Sequence, residues 1–275
     1  MNVTTAGLRH SSAATGPDPT PTPKDSARLV HREEVLGRFV TLDLRDAGLD
    51  RLALGRAART AVSALHDAQR RLRPAGRPTA GRTQQSHGLP SDVVLRCEQA
   101  RQQTQGWFDP WSIRGGFDPA VLARGWALQR ALDALTCSGV RHAMMEIDGD
   151  AVVIGSASGR PDGAGWSLAL TRPATPSQLL ADVRLHDEAI ATCAAPRRAR
   201  PAWARGATAR LTSATVAAPD LASADAYAAA ALAHGAGALD WLPRLVGVRA
   251  LLVTSDGRHL TTASWTGQGR VHSAT

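Results

Sequence analysis

The sequence predicts an α+β fold, with mixed sheets and packed helices, and three observations carry that expectation. Helix-like and strand-like stretches follow one another without the strict alternation of a doubly wound sheet. A long amphipathic stretch, residues 49–72, separates the first strand from a later series of short ones. Asp148-Gly149-Asp150 and Asp256-Gly257 each lie between apolar runs, as hairpin turns do.

The 275 residues are 43% apolar, enough for one large core or two modest ones. Residues 1–27 are rich in Thr, Pro, Ser, Ala and Gly and show no apolar period, so a disordered tail is expected there, followed by one domain over 28–268 and a frayed end over 269–275. No run of eighteen apolar residues occurs, and the first thirty residues lack the basic-then-apolar order of a secretory signal. The expectation is a cytoplasmic protein without a membrane partner. Cys97, Cys137 and Cys193 share no close spacing, which points to neither a zinc site nor a disulfide framework. The formal charge of +8 is almost all arginine, Lys24 being the only lysine. Arg197-Arg198-Ala199-Arg200 has no interleaved aromatics, so nucleic acid is disfavoured as a partner.

The elements follow in order. Val40, Leu42 and Leu44 alternate with polar residues, predicting one strand over 35–44. Leu49, Leu52, Ala58, Val62, Leu65 and Leu72 recur at helical spacing. Residues 73–90, with three prolines and three glycines, read as a long connection. Ser91 is placed to cap a second helix that stops before Gly106. Two Phe-Asp-Pro turns then occur nine positions apart, at Phe108 and Phe117. In the second, Asp118 suits an N-cap and Pro119 the first helical position, and the helix runs to about Cys137 with Gly139 as its stop. Gly125 costs such a helix roughly 1 kcal/mol against alanine, so close approach of a sheet or a ligand is expected there.

Strands are expected at 143–147 and 151–154, flanking Asp148-Gly149-Asp150, and at 166–171, 183–185, 189–192 and 209–216, with a loop over 195–205. Ser223 is read as the cap of an alanine-rich helix through Ala233, a further helix holds Leu239 and Trp241, and 251–253 pairs with 259–262 about Asp256-Gly257.

Several acids are candidates for chemistry. A Phe-Asp-Pro turn ahead of a helix can fix a carboxylate and free backbone amides beside a ligand, which makes Gly106 to Gly125 the expected binding floor. Asp148 and Asp150 fit simple turn chemistry better than metal ligation. Asp225 either favours the helix dipole or ligates a hard cation. His66, His186 and His234 form no pair at metal spacing.

Six segments, in order over residues 31–268, resemble the ApbE-type flavin transferases. Val35-Leu36-Gly37-Arg38-Phe39-Val40 is similar to the family's opening Met-Gly-Thr strand, and Gly106-Trp107-Phe108-Asp109-Pro110 resembles its Gly-x-Phe-Asp turn. Gly116-Phe117-Asp118-Pro119 through Ala127 resembles an Asp-bearing strand end followed by Lys-Gly-Tyr/Trp-Ala. Residues 146–155 resemble the Gly-Gly-Asp hairpin, 189–194 the Ala-Thr-Ser-Gly segment, and Ala222-Ser223-Ala224-Asp225-Ala226 the Ala-Asp-Ala helix start. The resemblance implies an enzyme that moves FMN from FAD, its substrate, onto a Thr or Ser of an acceptor protein, with magnesium and release of AMP. It implies that Trp107, Phe108, Asp109, Asp118, Arg124, Gly125 and Leu36 line FAD, and that Asp225 and the main-chain carbonyl of Val121 hold Mg²⁺.

Departures from the family pattern fall on the chemistry. The family's catalytic His corresponds to Thr208, its following Asp to Leu211, and the threonine that completes the magnesium site to Ala229. Its Lys is Arg124, its first Met is Leu36, and its flavin-stacking Tyr falls near Leu72. Asp225 and Thr208 are therefore the expected catalytic positions. The alternatives are a flavin-binding relative that has lost transfer and a basic binding module unrelated to flavin.

Overall fold

The computed structural model describes residues 8–9, 27–72, 89–112, 117–161, 163–172, 175–194, 210–265 and 269–272. Three layers result: helices, an eight-stranded sheet and a four-stranded sheet. The first strands are β1 (Leu8–Arg9), β2 (Ala27–Val35) and β3 (Arg38–Asp46), followed by helices α1 (Arg51–Leu72), α2 (Ser91–Gln103) and α3 (Ala120–Cys137). Then come β4 (Ala143–Ile147), β5 (Asp150–Ile154), β6 (Trp166–Arg172), β7 (Thr175–Leu185), β8 (Ala189–Ala194) and β9 (Leu211–Ala218). Helix α4 (Leu221–His234), β10 (Arg249–Thr254), β11 (His259–Thr261) and β12 (Gly269–Val271) complete the order.

The large sheet runs β11-β10-β9-β8-β5-β4-β3-β2 and the small one β1-β6-β7-β12. Neighbouring strands pair antiparallel in both. The central strands of the large sheet are apolar at nearly every position because both of their faces are covered. Ala143, Met145 and Val152 join the core under the helices, whereas Met144, Ala151 and Val153 join a second core against Trp166, Leu168 and Val183 of the small sheet. This is the period-2 geometry of a strand applied to a sheet with two buried faces. Helix α4 is buried on all sides, and its alanines let it lie close to both α3 and the sheet.

Several local expectations are corrected. The first strand is two: β2 and β3 form a hairpin about Leu36-Gly37, whose φ angles are 59° and 70°. A leucine at positive φ is unfavourable, so Leu36 carries no turn signal of its own. Pro90, and not Ser91, occupies the N-cap of α2. In α4 the cap is Asp220, which accepts the Ser223 amide at 3.0 Å, so Ser223 is inside the helix it was expected to open. Leu239 lies in a short 3₁₀ turn over Gly235–Asp240, and Trp241 links it to a second over Leu242–Arg244, so neither belongs to an α-helix. Leu8–Arg9 pairs with β6 and Gly269–Val271 with β7. The Asp148-Gly149 turn is as predicted: φ is 51° and 90°, and Ile147 faces Asp150 across the hairpin.

Candidate functional site

Helix α3 organises the site. At its start the Asp118 carboxylate accepts the Ala120 amide at 2.9 Å, although Pro119 and not Asp118 takes the cap position. Asp118 itself is exposed, ahead of a helix whose first amides point the same way. Phe117 behind it is buried and packs on Trp111, with ring centroids 4.8 Å apart. The first Phe-Asp-Pro turn is built alike: Asp109 Oδ1 accepts the Trp111 amide at 3.0 Å, and Phe108 is buried in the main core. Trp107 is half-buried and stacks on His234 at the end of α4, 4.0 Å between centroids with the planes 12° apart.

Farther along α3, Gly125 meets the start of α4. A Cβ at this position would lie 2.4 Å from the Ala222 backbone nitrogen, so helix-on-helix contact, not a sheet or a ligand, explains the glycine. That contact aims the preceding side chain. Arg124 Nη2 donates to Asp225 Oδ1 at 2.8 Å and to Asp150 Oδ2 at 2.6 Å, while Nη1 lies 4.0 Å from Asp148. Asp150 is fully buried and its other oxygen accepts the Thr192 amide at 2.8 Å. Asp148 also pairs with Arg38 at 3.3 Å, which brings the Leu36-Gly37 turn alongside the cluster.

One guanidinium thus serves two buried acids. Burial, and then the charge of Asp225, drive Asp150 well above the usual carboxylate range, with Arg124 opposing. Burial raises Asp225 as well, while Arg124 pulls it back. Asp225 and Asp150 in turn hold the Arg124 guanidinium in its charged form. Beside them the Cys193 thiol is pushed up to about 12, chiefly by burial and also by the charges of Asp225 and Asp150. It is no nucleophile at neutral pH.

The predicted residues therefore fall into two neighbourhoods. Arg124 and Asp225 meet, and Leu36 lies two residues before Arg38, which pairs with Asp148 beside them. Asp118 lies six residues before Arg124, roughly 9 Å along the helix, and Trp107 stacks nine residues beyond Asp225, roughly 14 Å along α4. Phe108 and Gly125 face packed protein. Val121 is half-buried in the first turn of α3, and Thr208 lies outside the described residues. The residue that sequence reasoning set aside is Asp150. Its signal was parity: as the first residue of β5 it shares a face with Val152, the face toward the helices, so a simple turn aspartate would have pointed into the core.

The donor set does not suit Mg²⁺. Magnesium wants six oxygens at about 2.0–2.1 Å. Asp225 Oδ1 and both oxygens of Asp150 are engaged, leaving Asp225 Oδ2 as an unpartnered buried oxygen. Ala229, one turn after Asp225, offers no donor, and no three His, Cys, Asp or Glu side chains among the described residues could hold a metal ion together. A positive charge already bridges the acids.

A protein-family model described as the ApbE family matches residues 114–252. No curated protein matches the chain. Among solved structures it is similar to the flavin transferase ApbE from Vibrio cholerae, at 16% identity over 89% of this chain and 100% of that one, with a TM-score of 0.67. The ApbE protein from Thermotoga maritima gives 16% identity over the same shares and a TM-score of 0.70. The apo form of Pseudomonas stutzeri flavinyl transferase ApbE gives 16% over 90% of this chain and 99% of that one, with a TM-score of 0.62. At these identities the likeness is one of fold. No helix among the described residues is long and apolar enough to cross a membrane.

Proposed function

The chain belongs to the ApbE family, and on that footing we propose that it binds FAD and transfers FMN to a threonine or serine hydroxyl of an acceptor protein. The acceptor Oγ attacks the phosphorus on the FMN side of the pyrophosphate and gives its proton to solvent. The P–O bond to the adenylate half breaks, and AMP departs with the bridging oxygen. The observation that carries the reading is the convergence of Arg124, Asp150 and Asp225 where α3 crosses α4, on the helix whose start presents Asp118.

Asp118 and the amides at the start of α3 are suited to contacting the dinucleotide, and Trp107 and Asp109 to flanking it. Arginine side chains meet the charge that gathers on the phosphate oxygens, with the planar fork of Arg124 in place of the ammonium of a lysine. Magnesium has too few donors here for a step to be routed through it. Thr208 stands where the family pattern has a histidine, and a threonine hydroxyl takes up no proton at neutral pH, so transfer is expected to be slow compared with a transferase that keeps the histidine.

A second reading rests on the same departures. Ala229 and Leu211 are both buried and neither offers a polar group, which favours a relative that holds flavin without transferring it. One experiment separates the two: incubate the protein with FAD and a threonine-bearing acceptor domain, and follow the acceptor by intact mass. An FMN-sized gain supports transfer. No gain beside a working transferase, with flavin still bound to this protein, supports the second reading.

A further inference from the structure

We propose that the guanidinium of Arg124 is the resident cation of the Asp150–Asp225 pair and takes the place of a divalent ion, so that this chain holds its site together without metal. The inference deepens the flavin-transfer reading and rests on it only for the identity of the ligand. Its geometry is independent of flavin.

Three features carry it. First, one nitrogen of Arg124 reaches an oxygen of each acid, at 2.6 and 2.8 Å, from a side chain that is a quarter exposed. Its charge lies where an ion bridging the two carboxylates would lie. Second, its position is fixed by backbone packing: Gly125 sets α3 against Ala222 so closely that no Cβ fits. That contact holds the backbone from which the guanidinium reaches both acids. Third, the side chain that would offer a hydroxyl to an ion, one turn beyond Asp225, is the buried Ala229. An ion at Asp225 Oδ2, the oxygen left over, would have one protein carboxylate oxygen and a guanidinium as its neighbour. Like charges at that distance oppose its entry.

The test uses Mn²⁺ as a probe, titrated into the purified protein by electron paramagnetic resonance, first alone and then after loading with FAD and desalting. Thermal denaturation runs in parallel, in EDTA and in millimolar MgCl₂. The wild-type chain is expected to bind no Mn²⁺ in a saturable way in either form, and its Tm is expected to be the same in both buffers. An ion present at about a hundred times its Kd would raise Tm by roughly 5–10 °C. Saturable binding of one Mn²⁺ per chain, or such a rise, overturns the proposal. Arg124→Met removes the resident charge and is expected to gain Mn²⁺ binding and magnesium-dependent Tm. A folded Arg124→Met that gains neither also overturns it. Ala229→Thr adds the missing hydroxyl while leaving Arg124 in place, and is expected to stay blind to Mn²⁺. Binding by this variant shows that the guanidinium does not occupy the ion's position and contradicts the proposal, even if Arg124→Met fails to fold. If flavin is not retained at all, the transferase reading fails while the Mn²⁺ result for the protein alone still decides this one.

Discussion

Two buried clusters on the large sheet invert each other. At Asp43, on β3, one carboxylate is held by two arginines: Arg45 at 2.7 Å and Arg28 at 2.9 Å. At Arg124, on α3, one arginine is shared by two carboxylates, Asp150 and Asp225. Burial acts to raise Asp43, but the hydrogen bonds from Arg45 and Arg28 outweigh it, and the acid ends below its usual range. Asp150 and Asp225 end above theirs. The surplus cation at Asp43 is harmless because Arg28 is 57% exposed and water solvates it. The surplus acid at Arg124 has no such outlet, since Asp150 is fully buried. A completed ion pair is structure; a buried cluster with acid to spare is a place where chemistry or a ligand can act.

The largest expected effect is at the single shared cation. Arg124→Met leaves two buried acids without a counter-charge, and urea denaturation at neutral pH is expected to show a loss of about 3–5 kcal/mol. A loss under 1 kcal/mol would make this cluster no different from a surface pair. Asp43→Asn comes next, at about 1.5–3 kcal/mol, for the charged hydrogen bonds it removes. Its pH dependence has a definite sign. A carboxyl whose folded pKa is lowered gives stability that is present above its unfolded value of about 3.9 and is lost as pH falls through the folded one, so Asp43→Asn is expected to flatten the acid limb of a stability–pH curve. An unchanged acid limb would remove Asp43 from the comparison.

Asp150→Asn is expected to cost about as much, roughly 1.5–3 kcal/mol, because both Asp150 oxygens accept, one from Arg124 and one from the Thr192 amide, and an Asn side chain would set an N–H against one of these donors. Denaturation of the two variants side by side is the check, and a loss at Asp150 well below that at Asp43 would contradict it. Smallest is Arg28→Ala. The partner of Asp43 that matters more is Arg45, which is half as exposed, so removal of Arg28 is expected to cost about 0–1 kcal/mol by the same measurement.

The sequence was most readable where one local rule settled the structure. The Asp148-Gly149 hairpin, the strand alternation of β4 and β5 and the glycine stop of α3 at Gly139 all rest on neighbours within a few residues. Where two rules competed, the reading failed. Leu36 turns the β2–β3 hairpin at positive φ because pairing over nine residues of both strands fixes it, against the preference of leucine. Ser223 and Asp220 both suit a cap, and only the path of the chain after Pro219 chose between them. Gly125 needs a reason that its neighbours do not supply: the Ala222 backbone lies some hundred residues away. Asp225 and Arg124 were visible through the family resemblance, whereas Asp150 looked like turn chemistry because turn and site coincide at one residue. Which acid meets which base is a matter of tertiary contact, and local pattern does not contain it.

The central claim is that this chain cradles a flavin dinucleotide with its own cation. The most direct measurement is flavin retained after desalting in EDTA, read by absorbance, for the wild-type protein and for Arg124→Met. The account predicts near-stoichiometric flavin on the wild-type chain without divalent metal and a clear loss on the variant. Wild-type protein that emerges free of flavin in EDTA, and holds it once magnesium is restored, would contradict the account.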